Sequence, residues 1–102
     1  MSIKKQALKS KPVCKINFKV SKAQAAGASA ISVVGEFNNW NPVAGAMNQL
    51  KDGSFTFATE LNTGRDYQFR YVADGHHWFN DEEADGLISS GIGAGMNGIL
   101  SV

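Results

Sequence analysis

Two tryptophans, each placed after a turn, are the residues of this sequence best suited to binding. Trp40 ends the stretch 33–40 (VVGEFNNW), in which a β-branched strand runs into a polar turn. Trp78 follows the turn at residues 74–75 (DG), far along the chain. An indole held on an exposed turn offers a broad apolar face together with a polar N–H group. The two tryptophans therefore predict a flat binding platform.

Catalytic chemistry has less support in the sequence. Four acids closely follow Trp78: Asp81, Glu82, Glu83 and Asp85. Glycoside hydrolysis requires two carboxylates on either side of a bond, and adjacent acids in one loop do not provide that geometry. A strand would direct the neighbours His76 and His77 to opposite faces, so they give no metal-ligand set. The sequence predicts no catalytic residues, no metal site and no cofactor, and we expect that the chain is not an enzyme.

Two other reactive features have simpler interpretations. The glycine-rich run 91–95 neither follows a parallel strand nor opens a helix, as a phosphate-binding loop requires. Cys14 lies on the apolar side of its strand, which favours a buried thiol over a nucleophile. Because it is the single cysteine, an internal disulfide is excluded.

The elements that must position the tryptophans are predicted to be β-strands, because apolar residues recur with a period of two. The segments with this alternation are 14–20, 31–37, 55–61 and 67–72, and a last short strand is expected at 99–102. Turn residues between them are typical of tight hairpins. Residues 23–30 are expected to form a loop because Gly27 interrupts their alanines, and residues 86–98 a long flexible connection.

About seven short strands with this spacing predict an all-β fold, an immunoglobulin-like antiparallel β-sandwich with its sheets packed around aromatic residues. A length of 102 residues with 43% hydrophobic content fits one globular domain. We place that domain at residues 12–102, after a basic N-terminal arm at residues 1–11. No apolar run reaches the length of a signal peptide or a membrane span, so a cytoplasmic protein with no membrane partner is expected.

Positive charge is concentrated at the N-terminus. Residues 1–22 hold seven of the ten basic residues and no acid. Such a segment can contact nucleic acid or another anionic surface. However, Lys15 and Lys19 alternate with apolar residues, as on the solvent side of an edge strand, where lysines discourage aggregation. We favour this second interpretation, and nucleic acid is not an expected partner.

Several motifs, in order and spacing, closely resemble carbohydrate-binding module family 48. They are residues 35–41 (GEFNNWN), Met47, 53–55 (GSF), 67–75 (YQFRYVADG), Trp78, Asp81 and 97–102 (NGILSV). This family includes the glycogen-binding domain of the AMP-activated protein kinase beta subunit and the isoamylase-type early-set domains of branching and debranching enzymes. The resemblance covers about residues 12–102.

The resemblance implies a shallow site for α-1,4-linked glucan. By their places in the matching motifs, Trp40 and Trp78 would stack on sugar rings, Arg70 would stand where the family has a lysine, and Asn97 would be the asparagine that opens the last strand. One face of a pyranose carries C–H groups that pack on an aromatic ring, while its hydroxyl rim needs donors and acceptors. All four roles can be filled in this chain.

The chain departs from the family pattern at three places, one of which is an extra residue between Gly75 and Trp78. Arg70 replaces a compact point donor with a broad planar fork, which changes the hydroxyls that it reaches. Gly93 and Gly95 stand near the positions where kinase-type members carry a leucine and a threonine, the leucine reaching over the bound sugar. This loop is therefore expected to hold the sugar less tightly.

The same residues also have purely structural interpretations. Both tryptophans can be packing residues of a small β domain. Arg70 can pair with Glu60 or Asp66 across strands, and Asn97 can hold the loop before it through backbone hydrogen bonds. Only convergence on one surface would make a site.

The expected function is non-catalytic binding of α-1,4-glucan, in the form of glycogen, starch or a maltooligosaccharide. The alternative is a protein-interaction module that docks on a glucan-metabolising enzyme without binding sugar itself. A third hypothesis, nucleic-acid contact through the lysine-rich arm, requires strong salt dependence and insensitivity to maltoheptaose.

Overall fold

The computed structural model describes residues 3–8, 10–89 and 95–102, and nine β-strands lie within these ranges. The strands are β1 (Ile3–Ala7), β2 (Val13–Val20), β3 (Ile31–Gly35), β4 (Asn48–Gln49), β5 (Phe55–Asn62), β6 (Asp66–Ala73), β7 (His77–Phe79), β8 (Gly86–Ser89) and β9 (Met96–Ser101). A helix of one turn, α1 (Lys22–Ala25), and a 3-10 turn at Glu36–Asn38 are the helical elements of these ranges. None of the described helices is long and apolar enough to cross a membrane.

The strands form two sheets, and every pairing is antiparallel. The strand order is β1-β2-β5-β4 in the first sheet and β3-β6-β9-β8 in the second, where β7 also pairs with β6. The two sheets pack face to face, which confirms the predicted all-β, immunoglobulin-like sandwich. The described ranges hold nine strands where the sequence predicted about seven. Two of them, β4 and β7, have only two and three residues, too few to show a period of two.

The core is built from the alternating apolar residues of both sheets. Phe18 of β2 meets Phe69 and Tyr71 of β6, with ring centroids 5.5 and 6.4 Å apart. All three side chains are almost completely buried. The Phe18–Tyr71 and Phe69–Tyr71 pairs are edge-to-face, a favourable arrangement of aromatic rings. Because β6 gives one face to this core, alternation directs its other side chains away from it.

Helix α1 corrects the prediction of a loop over residues 23–30. The Ser21 hydroxyl accepts from the Gln24 backbone N–H at 3.1 Å, and Gln24 Oε1 accepts from the Ser21 N–H at 3.0 Å. This reciprocal capping satisfies two N-terminal donors and favours a helical turn despite the missing apolar stripe. The helix ends after one turn because Ala26 and Gly27 adopt left-handed conformations.

The lysine-rich N-terminal segment contributes a strand. Residues 3–7 of the predicted arm pair with β2 as β1, and Ile3 is buried in the core. Lys15 and Lys19 face solvent as predicted. However, β2 lies between β1 and β5, so the edge strands of this sheet are β1 and β4, and β2 is an inner strand.

The connection expected at residues 86–98 is partly strand. Residues 86–89 form β8, and β9 begins at residue 96, before the start predicted at residue 99. These two strands pair with each other. Residues 90–94, which include all of the glycine-rich run except Gly95, lie outside the described residues.

An ion pair joins β1 of the first sheet to the segment before β8 of the second. Lys5 Nζ lies 2.6 Å from Asp85 Oδ2, which also accepts from the Ser101 backbone N–H at 2.8 Å. Burial alone raises the pKa of Asp85, but the hydrogen bonds from Lys5 and Ser101 and the charge of Lys5 outweigh it and hold the pKa below its usual value. The ionised carboxylate therefore stabilises the folded state.

Replacing Lys5 with methionine is expected to lower stability by up to about 1 kcal/mol near neutral pH, since this pair is partly exposed to solvent. A carboxyl group whose pKa is lower in the folded than in the unfolded protein stabilises the fold at any pH above its unfolded pKa. That stabilisation is lost as the pH falls through the folded pKa. The difference in Tm between the two proteins should therefore be full above about pH 5 and shrink once the pH falls below about 4, the pKa of an aspartate in the unfolded chain. Thermal unfolding across this range measures it.

Lys4→Met is the matched control, because Lys4 is exposed on the same strand, next to Lys5. It should change Tm less than Lys5→Met at neutral pH. A Lys5→Met deficit that stays constant down to about pH 2.5 would show that lost packing, and not the Asp85 charge, is responsible.

Candidate functional site

The face of the second sheet that points away from the core carries the predicted site residues. On β6, Gln68, Arg70 and Val72 alternate with the core residues. The register places Val34 of β3 opposite Arg70, and Trp78 of β7 opposite Val72. Cross-strand partners share a face of the sheet, so all five side chains lie on this side, which we call the outer face.

Arg70 lies at the point on β6 where the paired strand changes from β9 to β7. Residues 66–69 of β6 pair with β9, and residues 71–73 pair with β7 on the same side. Asn97 lies one step beyond the last register pair between β6 and β9, Phe69 with Gly98, and so comes level with Arg70. The Asn80 side chain donates to the Met96 carbonyl at 3.0 Å and links the end of β7 to the start of β9. The break between two partner strands thus brings the two predicted polar residues together.

An open cleft of about 610 Å³ lies on the outer face. The residues that line it are Glu36, Trp40, Gln68, Arg70, Trp78, Gly95 and Asn97. All four residues predicted from the sequence therefore border one cavity. They come from four different elements: the turn after β3, and strands β6, β7 and β9.

The turn that carries Trp40 is fixed by Asn38 and by unusual backbone angles. Asn38 Oδ1 accepts from the Gly35 N–H, and its Nδ2 donates to the Val33 carbonyl, each at 3.0 Å. Trp40 N–H donates to the Gly35 carbonyl at 2.9 Å. Asn39 and Trp40 have φ of 54° and 58°, a conformation that is rare for a bulky residue. Such conformations cluster at binding sites, and the turn that contains this one places Trp40 in the cleft wall.

A buried pair fixes the loop that follows β7, the strand that carries Trp78. The Tyr71 hydroxyl donates to Asp81 Oδ2 at 2.6 Å, and Asp81 Oδ1 accepts from the Glu83 backbone N–H at 2.8 Å. Burial, together with the charge and hydrogen bond of Asp81, raises the pKa of Tyr71 above its usual value. Asp81 thus shapes the loop after β7, while Trp78 itself keeps 47% of its surface exposed.

Arg70 is oriented by Asn97 and lies beside Trp78. Its Nε donates to Asn97 Oδ1 at 2.6 Å, so its partner is Asn97 and not the Glu60 or Asp66 suggested by the sequence. The guanidinium carbon lies 5.9 Å from the centre of the Trp78 ring, within range of a cation–π contact. The cationic group and the second aromatic face therefore form one continuous surface.

Asn97 is more deeply placed than the sequence indicated. It is only 7% exposed, and its Nδ2 donates to Gln68 Oε1 at 2.9 Å. Glu36 Oε1 accepts from the Gln68 backbone N–H at 2.7 Å. Asn97 therefore connects two other cleft residues and presents little surface of its own.

Glu36 and Gln68 were not assigned to the site from the sequence, although signals for both were present. Gln68 precedes Arg70 by two residues, which places both on one face of β6. Glu36 directly follows β3, and continuing the register of β3 and β6 brings it opposite Gln68. Polar groups of both signs thus surround the two indoles. In the described ranges no His, Cys, Asp or Glu residues form a group able to hold a metal ion.

No family model matches the chain, and a search of curated proteins finds no significantly similar sequence. The resemblance to carbohydrate-binding module family 48 therefore remains a prediction from the motifs. The fold and the cleft stand on the structure alone.

Proposed function

We propose that the protein binds α-1,4-glucan without catalysis, through the cleft on the outer face of the second sheet. The observation that carries this proposal is the convergence of two indoles, one guanidinium and an asparagine on one open cavity. Trp40 and Trp78 stack on the C–H faces of sugar rings, while the Arg70 fork binds hydroxyl oxygens. Glu36 supplies a carboxylate that accepts from sugar hydroxyls.

The openness of the cleft sets the expected strength of binding. A surface site leaves much of the sugar in water. The entropy that a flexible oligosaccharide loses when it becomes ordered also offsets part of the free energy gained from its contacts. We therefore expect dissociation constants between about 1 µM and 1 mM for a short maltooligosaccharide. The motif resemblance supports the α-1,4 linkage as the preferred one, because the four matching positions are those of the family's glucan site.

Retention on immobilised amylose tests the proposal. The protein should be retained at low salt and at about 0.5 M NaCl alike, since stacking and hydrogen bonds to neutral sugars are weakly screened. Maltoheptaose should elute it, and a β-1,4-linked oligosaccharide of similar length should not. Passage through amylose without delay, or retention that maltoheptaose does not reverse, would overturn the proposal.

A protein-interaction module remains the second candidate, and one observation favours it. Leu87 and Met96, which share one face of the β8–β9 pair at the edge of the second sheet, are 56% and 39% exposed. Exposed apolar residues that lie together are typical of protein contacts. The partner would be a glucan-metabolising enzyme. Leu87→Ser should then abolish co-purification with that enzyme, while retention on amylose by the isolated protein would show that the cleft has a ligand of its own.

A further inference from the structure

The hydrogen bonds around Arg70 form a chain with a fixed direction. Arginine has donors and no acceptor, so its Nε can bind only an oxygen. Asn97 must therefore turn Oδ1 towards Arg70, which leaves its Nδ2 to donate to Gln68 Oε1. The Gln68 backbone is itself tied to β3, since its N–H donates to Glu36. Gln68 is thus the end of this series of hydrogen bonds, and its backbone connects the series to the residue that follows β3.

This chain determines which donors of Arg70 reach the cleft. Because Asn97 occupies Nε, the donors at the tip of the side chain, on the two Nη nitrogens, are left for a ligand. Gly95 bounds the tip on another side. A Cβ placed there would lie 2.6 Å from Nη2 of Arg70, closer than real Cβ contacts. The guanidinium is held between the Asn97 amide, the Gly95 backbone and the Trp78 ring.

Gln68 selects the orientation of the Asn97 amide. Without an acceptor at Gln68 Oε1, the amide of Asn97 can rotate and turn its NH₂ group towards Nε, donor against donor. Arg70 would then leave Asn97 and sample other rotamers, and a side chain of this length loses rotamer entropy when it is fixed again. A mobile Arg70 would lose this entropy whenever a ligand binds, and ligand binding would be weaker.

We propose that Gln68 is a positioning residue, which acts through Asn97 to hold the Arg70 guanidinium in the orientation that binds glucan. This inference rests on the proposed function for its effect on affinity. The effect of Gln68 on the Arg70 side chain is present without any ligand, so the positioning role and glucan binding can be tested separately.

A double-mutant cycle measures the effect on affinity. We expect Gln68→Leu to weaken maltoheptaose binding by about fivefold, and Arg70→Met by about tenfold. The double variant should bind no more weakly than Arg70→Met alone, because the contribution of Gln68 passes through Arg70. Gln68→Glu keeps an oxygen for Asn97 and should bind within about twofold of the original protein. A fivefold loss from Gln68→Leu in the Arg70→Met background would overturn the proposal and make Gln68 a direct sugar contact.

The NMR signal of the Arg70 Nε–H group tests the positioning without sugar. The chain has two arginines, and Arg65, which lies over the Tyr67 ring at 4.5 Å, provides an internal reference. We expect a shifted, slowly exchanging Arg70 signal in the original protein and in Gln68→Glu. Gln68→Leu should move it towards the position of a solvated arginine and speed its exchange, with the Arg65 signal unchanged.

The maltoheptaose affinity tests the proposed function, and the Arg70 NMR signal tests the positioning role of Gln68. If the protein does not bind maltoheptaose but the Arg70 signal responds to Gln68→Leu, the proposed function fails and the positioning stands. If the protein binds maltoheptaose and the Arg70 signal does not respond, the proposed function stands and the positioning is wrong.

Discussion

Replacing Trp78 with alanine is expected to weaken maltoheptaose binding at least about tenfold, which corresponds to about 1.4 kcal/mol or more. The indole is 47% exposed in the cleft, so its removal takes away an aromatic face available to a sugar ring. It also takes away the ring beside the Arg70 guanidinium. Trp40→Ala should cause a loss of similar size, because Trp40 supplies the other aromatic wall.

Intrinsic fluorescence is well suited to this measurement. Trp40 and Trp78 are the only tryptophans of the chain, and both line the cleft. A titration of either single variant therefore reports the remaining indole alone. Leu87→Ala is the control, since this exposed side chain does not line the cleft and should leave the affinity unchanged. Normal affinity in both tryptophan variants would show that the sugar binds elsewhere.

Replacing Gly45 with alanine is expected to reduce the free energy of unfolding by about 3 kcal/mol or more. A Cβ at this position would lie 1.8 Å from the carbonyl oxygen of Val33. That atom belongs to the backbone of β3, so it cannot move aside as a side chain can. Gly45 is also bound to this strand, because its carbonyl accepts from the Val33 N–H at 2.9 Å. Urea denaturation measures the loss through the midpoint and the slope.

The Gly45→Ala substitution should also disturb the turn that carries Trp40. Gly45 docks the end of this turn on β3, and its N–H donates to the Asn41 carbonyl at 3.2 Å. Gly45→Ala should therefore change the fluorescence of Trp40 even where the protein still folds. Gly86→Ala is the matched control, because its Cβ would meet Ile99 Cδ1 at an ordinary 3.4 Å. Equal stability of the two variants would contradict the close approach of Gly45 to β3.

The strands with clear alternation were predictable from the sequence because the core selects one face of each of them. Strands β2, β5 and β6 each have eight residues, long enough for this pattern to be visible. Strand β1 escaped prediction since, of its five residues, only Ile3 is buried. Helix α1 escaped because its capping residues, and not an apolar stripe, stabilise it.

The candidate site was partly predictable for a related reason. The turn at Trp40 and the alternation around Arg70 are local features, and the motifs supplied Trp78 and Asn97. The place where β6 changes from β9 to β7 is a long-range feature that no local pattern shows. It decides that Asn97 meets Arg70 and Gln68, and so it turns an expected sugar contact into a mostly buried connecting residue.

The most direct test of the central claim is an NMR titration of ¹⁵N-labelled protein with maltoheptaose. If the cleft binds α-glucan, both indole N–H signals and the Arg70 Nε–H signal shift together and saturate at one dissociation constant between about 1 µM and 1 mM. Signals of the far sheet, such as those of β1, stay in place. If no indole signal moves at about 10 mM sugar, a concentration at which such a site would be nearly saturated, glucan binding at this cleft is contradicted.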